Sequence, residues 1–167
     1  MIAPLIVSIV FAAPLLYAAW TDFTTMRITN RTSLAMLAGF FVTLPLTWAG
    51  LPVFAEHMAV GGVFFLAGFA MFAFGWLGGG DAKLMSAIAI WFGWGDAVNF
   101  ILYTTLVGAG IALFIMLSQR FAPAGMRGLP VLRTLQGNGG DMPYGLALMA
   151  GALLVWPGSQ IGLMLLA

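Results

Sequence analysis

The sequence predicts an all-α membrane protein, a helical bundle of about six transmembrane segments. Hydrophobic residues make up 62% of the 167 residues, and charged residues only 7%. A water-soluble domain of this size cannot bury so much apolar surface in one core. The apolar residues also fall into separate runs, several of them close to the roughly 20 residues that a helix needs to cross a bilayer. We therefore expect residues 1–167 to form a single membrane-embedded domain.

The first three segments are long apolar runs. Segment 2–20 resembles a secretory signal in length, but its first basic residues, Arg27 and Arg31, follow the run instead of preceding it. This pattern predicts a retained helix. The second and third segments, 32–49 and 58–77, are continuous enough to span.

The last three segments are less regular. Segment 84–94 has about half the length needed to cross the hydrocarbon, which predicts a short, buried or re-entrant helix. Segment 97–117 is a full span. The connection 121–142 is rich in Gly and Pro and is expected to be flexible, with one short interfacial turn. Segment 144–166 contains Pro157, which should kink the helix or end it early.

Charge placement predicts the orientation, because basic residues concentrate in cytoplasmic loops. With the N-terminus outside, every basic residue lies on the cytoplasmic side. These residues are Arg27, Arg31, Lys83, Arg120, Arg127 and Arg133. The opposite loops hold Glu56, His57 and Asp96, which we interpret as ordinary loop residues. Asp22 and Asp81 are then expected to face the cytoplasm.

Several functional classes are excluded by composition. The net charge is +1 and there is no basic run, so no nucleic-acid partner is expected. The absence of cysteine removes disulfides, thiolate nucleophiles and Cys-based zinc sites. A single histidine, His57, does not support a His-rich metal site. We expect neither a metal nor an organic cofactor.

Asp22 and Asp81 are the strongest candidates for chemistry. A carboxylate near lipid is costly, so it indicates a functional position. The two lie at the ends of different segments on the same predicted side, and helix packing could bring them together. A close carboxylate pair shares a proton, so one member can act as a base toward water while the other polarises a peptide carbonyl. This is the arrangement of aspartic proteases.

Asp81 stands in the string Gly78-Gly79-Gly80-Asp81. Three glycines allow an extended peptide to approach the backbone closely. The alternative interpretation is a Gly-rich helix terminus with Asp81 as a helix cap. Lys83 can either extend toward lipid headgroups or tune Asp81. Lys83 and Ser86, three residues apart, also have the spacing of a Ser/Lys pair.

These residues resemble the type IV prepilin peptidases, which are aspartic proteases of the bacterial inner membrane with the motif GxGDxKL. The segment from Gly78 to Leu84 has this pattern. Asp22 is followed by Arg27-Ile28-Thr29-Asn30, similar to the family's basic stretch and Ile-Pro-Asn, with Thr29 in place of the proline. Thr29 or Asn30 can still cap the second helix. Met142-Pro143-Tyr144-Gly145 is similar to the family's proline-aromatic-glycine segment.

The resemblance implies a multi-pass enzyme of the inner membrane that removes the leader peptide of prepilins at the cytoplasmic face. Its partners would be the leader peptide, membrane lipid and the pilus assembly machinery. The chain lacks the family's cysteine-bearing insertion, so it is most similar to the short form of tight-adherence (Flp-type) pili, without N-methylation. The implied catalytic residues are Asp22 and Asp81, the supporting residues are Gly78, Gly80, Lys83 and Asn30, and Pro143 is a candidate for substrate binding. Asp141, a third carboxylate on the predicted cytoplasmic side, is a candidate for binding a basic leader peptide, with helix capping or simple solvation as the alternatives.

Two other classes remain open from the residues alone. In a small proton- or cation-coupled transporter, the two aspartates would relay protons or bind a cation. That function needs polar groups that continue to the other face, and the third and fifth segments are nearly devoid of them. A non-catalytic assembly scaffold is the third class, and it gives the costly aspartates no purpose.

Overall fold

The structure, a computed structural model, describes residues 2–121 and 142–166. Within these ranges the chain is helical apart from short connections, which confirms the all-α class for this part of the molecule. A 3₁₀ turn at Trp156–Gly158 separates the last two helices. The helices are α1 (Ile2–Thr25), α2 (Asn30–Thr47), α3 (Leu51–Ala73), α4 (Gly79–Ala89), α5 (Trp94–Phe121), α6 (Tyr144–Val155) and α7 (Gln160–Leu166).

Three helices are long and apolar enough to cross a membrane, namely α1, α3 and residues Trp94–Ser118 of α5. The apolar stretch Tyr144–Gly158 is shorter, and α4 has only 11 residues. The six-segment count and the orientation stay predictions. The connection 121–142 lies almost wholly outside the described residues.

The short helix α4 forms the centre of the bundle. It packs against α3 on one side and against α2 on another. Most side chains from Leu84 to Phe92 are buried, as expected for a short helix that is apolar on nearly all sides. Gly61 and Gly68 let α3 approach closely, since a Cβ at Gly68 would lie 3.2 Å from the Ala82 carbonyl oxygen. The predicted fourth segment is therefore an interior helix.

Aromatic side chains pack around Phe11 in the interior of the bundle. The Phe11 ring stacks on Trp156 with centroids 4.0 Å apart and meets the edge of Trp91 at 5.2 Å. Both indole N–H groups find acceptors, because Trp91 Nε1 donates to the Met36 carbonyl oxygen and Trp156 Nε1 donates to Ser8 Oγ. Buried tryptophans need such partners. The cluster fills the bundle between its two ends.

Both aspartates lie inside helices, which corrects the predicted boundaries. The helix α1 continues to Thr25, beyond residue 20, and its threonine hydroxyls bond back to carbonyls, as Thr25 Oγ1 does to the Thr21 oxygen at 2.6 Å. The helix α4 begins at Gly79 instead of residue 84. Gly78 occupies the N-cap position without a side-chain cap, so Asp81 lies in the first helical turn and does not cap it.

Glu56, His57 and Asp96 are not loop residues, so that prediction was wrong. Glu56 and His57 lie in α3, and Asp96 lies in the first turn of α5. Glu56 Oε1 accepts the Trp94 N–H at 2.9 Å, and Asp96 Oδ2 accepts the Gln160 N–H at 2.8 Å. His57 is buried, with Nδ1 2.9 Å from the Ile90 carbonyl oxygen. These groups fasten helices together at the end of the bundle away from the aspartates.

Among the described residues, one non-glycine residue has a positive φ. This residue is Met26, at 52°, in the turn between α1 and α2. Thr29 takes the N-cap position of α2 with φ −80° but makes no side-chain cap. Its hydroxyl instead lies 3.0 Å from that of Thr32. The expected cap by Thr29 is therefore absent, although the backbone angle is one that proline also adopts.

Helices α5 and α6 pack closely through glycines. A Cβ at Gly151 would meet the Thr104 hydroxyl and lie 2.8 Å from the Thr104 backbone nitrogen. A Cβ at Gly108 would lie 3.3 Å from the Tyr144 ring. Pro157 ends α6 as predicted, because the chain passes through the 3₁₀ turn before α7 begins.

We expect Thr29→Pro to stabilise the fold relative to Thr29→Ala. Both variants lose the contact with Thr32, but proline also restricts the unfolded chain at a backbone angle it already favours. The free energy of unfolding should rise by about 0.5 kcal/mol. Thermal unfolding of both proteins in the same detergent measures this, and a lower midpoint for the proline variant would contradict the expected turn geometry.

Gly151→Ala should destabilise the protein by about 1–3 kcal/mol, because the added methyl group meets Thr104 backbone atoms that cannot move alone. Gly110→Ala is the matched control on the partner helix, since a Cβ there meets nothing within 4 Å. The control should leave stability unchanged or raise it by up to about 1 kcal/mol. Equal unfolding midpoints for the two variants would show that α5 and α6 do not pack through Gly151.

Candidate active site

Asp22 and Asp81 line the same cleft at the end of the bundle where α1 ends and α4 and α6 begin. The cleft has a volume of about 500 Å³. The fold thus brings together the two carboxyl groups that the sequence separates by the whole of α2 and α3. The other lining residues are Met26, Met71, Trp76, Leu77, Gly78, Met142 and Tyr144.

Asp22 is held by the beginning of α6. Its side chain is 6% exposed, and its Oδ2 accepts the backbone N–H of Gly145 at 2.7 Å. Any Cβ on Gly145 would lie 2.8 Å from that oxygen, so only glycine allows this approach. A backbone N–H in the first turn of a helix stabilises negative charge on its acceptor. This hydrogen bond stabilises the anionic form of Asp22, whereas the burial of the side chain opposes its ionisation.

Asp81 is in a different environment. It is half-buried, and its Oδ1 has no hydrogen-bond partner among the described residues. Burial raises the pKa of the Asp81 carboxyl to about 7, and the charge of Asp22 also raises it, while a hydrogen bond from its own backbone acts in the opposite direction. The neutral acid is therefore well populated near neutral pH.

Gly78 and Gly80 lie where neighbouring atoms leave no room for a side chain. A Cβ at Gly78 would lie 2.5 Å from Asp81 Oδ2. A Cβ at Gly80 would lie 3.0 Å from the carbonyl oxygen of Ile28, in the turn between α1 and α2. This turn and the first turn of α4 consequently pack backbone against backbone, which positions Asp81 beside the end of α1.

Lys83 and Asn30 connect the same two segments. Lys83 Nζ donates to Asn30 Oδ1 at 3.0 Å, and both side chains are exposed. Neither residue lines the cleft with the aspartates. Ser86 Oγ donates to the Gly61 carbonyl oxygen. Because the hydroxyl of Ser86 and the ammonium group of Lys83 each bond elsewhere, their geometry gives no support to a Ser/Lys pair.

The two predicted substrate-binding residues have different outcomes. Asp141 lies outside the described residues. Pro143 is buried at the N-cap position of α6, while its neighbours Met142 and Tyr144 line the cleft. Within the described ranges, no three His, Asp or Glu side chains come together as metal ligands.

Some site residues were missed by the sequence analysis. Tyr144 had a usable signal, since it follows Pro143 at the start of an apolar segment. Ile28 stands in the segment that resembles the family's Ile-Pro-Asn, but nothing in that pattern indicated that its side chain packs against Gly80 and Gly145. The role of Gly145 depends on its backbone N–H, which no side-chain pattern reveals.

The arrangement can perform acid–base chemistry on a bound water. Asp22 has a backbone N–H donor that stabilises its anion, so Asp22 can take a proton from water, and Asp81 keeps a proton that it can donate. Both carboxyl groups are partly or fully buried, and they differ in that Asp22 accepts a backbone N–H while Asp81 Oδ1 has no partner among the described residues.

No curated protein and no solved structure matches the chain. Residues 9–113 match the model of the type IV leader peptidase family. The matched range covers more than half of the chain and includes Asp22, the turn at 26–29, and the segment from Gly78 to Leu84. The chain belongs to the type IV leader peptidase family.

Proposed function

We propose that the protein is an aspartic endopeptidase that removes leader peptides from type IV prepilins, with Asp22 and Asp81 as its catalytic pair. The observation that carries the proposal is that both carboxyl groups of this family member line one cleft. The different surroundings of Asp22 and Asp81 support separate base and acid roles.

In the proposed reaction, Asp22 removes a proton from water as the water oxygen bonds to the scissile carbonyl carbon. Asp81 donates its proton to the carbonyl oxygen, which gives a neutral tetrahedral diol. The carbon–nitrogen bond then breaks, and the nitrogen takes the proton held by Asp22. One diol hydroxyl returns its proton to Asp81, so that both carboxyl groups recover their starting states.

The shape of the cleft supports an extended peptide as substrate. Gly78 offers backbone without a side chain at the lining, and Met26, Met71 and Met142 surround the carboxyl groups with flexible apolar side chains. Methionine adapts to varied apolar partners. An unfolded leader junction can thus enter where a folded domain cannot.

The finer assignment follows the sequence. The absence of cysteine and of a cytoplasmic insertion favours the short Flp-type form without N-methylation. The distribution of basic residues favours a multi-pass protein of the inner membrane with the cleft on the cytoplasmic side. A leader peptide in this position would be cut before the pilin joins the assembly machinery.

The transporter alternative receives no support from the interior of the bundle. A proton or cation path would have to continue from the cleft to the far end. The rings of Phe11, Trp91 and Trp156 contact one another between these two ends. Such an aromatic cluster offers no ligands for an ion.

We expect Asp22→Asn and Asp81→Asn each to lower prepilin cleavage by at least about 100-fold, because each removes one acid–base group. Asp96→Asn is the matched control at the opposite end of the bundle. Its amide oxygen can still accept the Gln160 N–H, so cleavage should stay at the wild-type level. The assay is the mobility shift of a co-expressed Flp-type prepilin, with membrane levels of all variants compared by immunoblot.

Equal cleavage by the wild type and both aspartate variants would contradict the catalytic pair. If the folded wild type cuts none of several matched prepilins, the peptidase assignment itself would be wrong. Proton flux in reconstituted vesicles would then be the next measurement.

The pH–rate profile should show an alkaline limb near pH 7. The pKa of Asp81 is raised to about 7 by burial, and the proposed acid is active only when protonated, so kcat should fall as pH rises through that value. Purified enzyme in nanodiscs is assayed from pH 5 to 9. Enzyme incubated at pH 9 and returned to pH 6 should regain full activity, which separates titration from unfolding. A limb above pH 9 would exclude Asp81 as the acid.

A further inference from the structure

Ile28 packs between Gly145, which holds Asp22, and Gly80, which precedes Asp81. Its Cδ1 lies 3.1 Å from the position that a Cβ would take on Gly145, whose N–H binds Asp22. Its Cβ lies 3.1 Å from the corresponding position on Gly80, the residue before Asp81. One side chain thus contacts the backbone that positions each carboxyl group.

The turn that carries Ile28 is fastened on both sides. Before it, the Met26 N–H donates to the Asp22 carbonyl oxygen at 2.8 Å, and Met26 takes the positive φ. After it, the Asn30 side chain accepts from Lys83 at 3.0 Å. Ile28 is therefore held between two segments that are each tied to an aspartate-bearing helix.

Isoleucine suits this position because its β-branch restricts the first side-chain torsion. The two glycines leave space that a rigid branched side chain can fill. A packed interior transmits a change of even one methylene group to its neighbours. The distance between α4 and the beginning of α6 thus depends on the volume of the side chain at position 28.

We propose that Ile28 is a positioning residue that sets the separation of the Asp22 and Asp81 carboxyl groups. This inference rests on the proposed function, since it concerns the same pair. Ile28 is not among the residues that line the cleft. It acts through Gly80 and Gly145, without touching the substrate.

A smaller side chain at position 28 has a specific consequence. The cavity beside Gly80 and Gly145 either collapses or admits water, and both outcomes move the carboxyl groups relative to each other. Misplacement of catalytic groups by about 1 Å can cost on the order of 100-fold in rate. The other side chains that line the cleft keep their positions, so the step affected is chemistry and not binding.

The test compares Ile28→Ala, Ile28→Val and Ile161→Ala as purified proteins in nanodiscs with a prepilin peptide. Ile161 is buried in α7, away from the cleft, and controls for the loss of isoleucine volume. For Ile28→Ala we expect kcat to fall by roughly 10- to 100-fold, with KM nearly unchanged. Its alkaline limb should move away from that of the wild type, to lower pH if water reaches Asp81 and to higher pH if the cavity collapses and the two carboxyl groups approach. Ile28→Val keeps the β-branch and should recover most of kcat, and Ile161→Ala should match the wild type.

The proposal is overturned if Ile28→Ala has the wild-type kcat and alkaline limb. It is also overturned if Ile161→Ala loses as much kcat, because the effect would then be one of general stability. If Ile28→Ala fails to accumulate in membranes, the test rests on Ile28→Val alone. A small fall in kcat at constant KM would support the positioning role, and an unchanged kcat would overturn it.

Failure of this inference is distinguishable from failure of the proposed function. Inactive Asp22→Asn and Asp81→Asn together with fully active Ile28→Ala would remove only the positioning role. Active aspartate variants would remove the catalytic pair and with it the reason for positioning.

Discussion

The hydrogen bond from the Gly145 N–H to Asp22 Oδ2 is the contact on which the arrangement of the site depends. It joins the end of α1 to the beginning of α6 and provides a backbone donor for a carboxylate that is almost fully removed from solvent. A buried charge without such a partner is costly. This one hydrogen bond therefore fixes the position of α6 and stabilises the Asp22 carboxylate at the same time.

The second carboxyl group lacks a backbone donor from α6, and this difference follows from the order of the helices. The central helix α4 begins at the cleft, so Asp81 shares the cleft with Asp22 and Tyr144, but the backbone N–H of Gly145 is donated to Asp22. The helix also fills the centre of the bundle, which keeps the Asp81 carboxyl half-buried. Two residues of the same type thus acquire different hydrogen-bond partners, and the described residues of the cleft lining include no basic side chain.

The fold class, the approximate helix positions and the pair Asp22 and Asp81 could all be predicted from the sequence, because apolar run length and the cost of carboxylates near lipid are local properties. The first turn of α4 could not, since Gly79 and Gly80 carry no periodic signal and the turn is stabilised by packing against Ile28. The polar residues at the far end were misassigned for a related reason. Glu56 and Asp96 satisfy backbone N–H groups of other helices, and their partners are distant in sequence.

The hydrogen bonds of Glu56 and Asp96 have a mechanical consequence. They join α3 to the beginning of α5, and α5 to the beginning of α7, at the end opposite the aspartates. Between α3 and α6 the cleft end has open volume, and no side-chain hydrogen bond between described residues joins these two helices there. Any widening that admits a peptide would therefore occur between α3 and α6 at the cleft end, and the hydrogen bonds at the far end and the aromatic interior would stay intact.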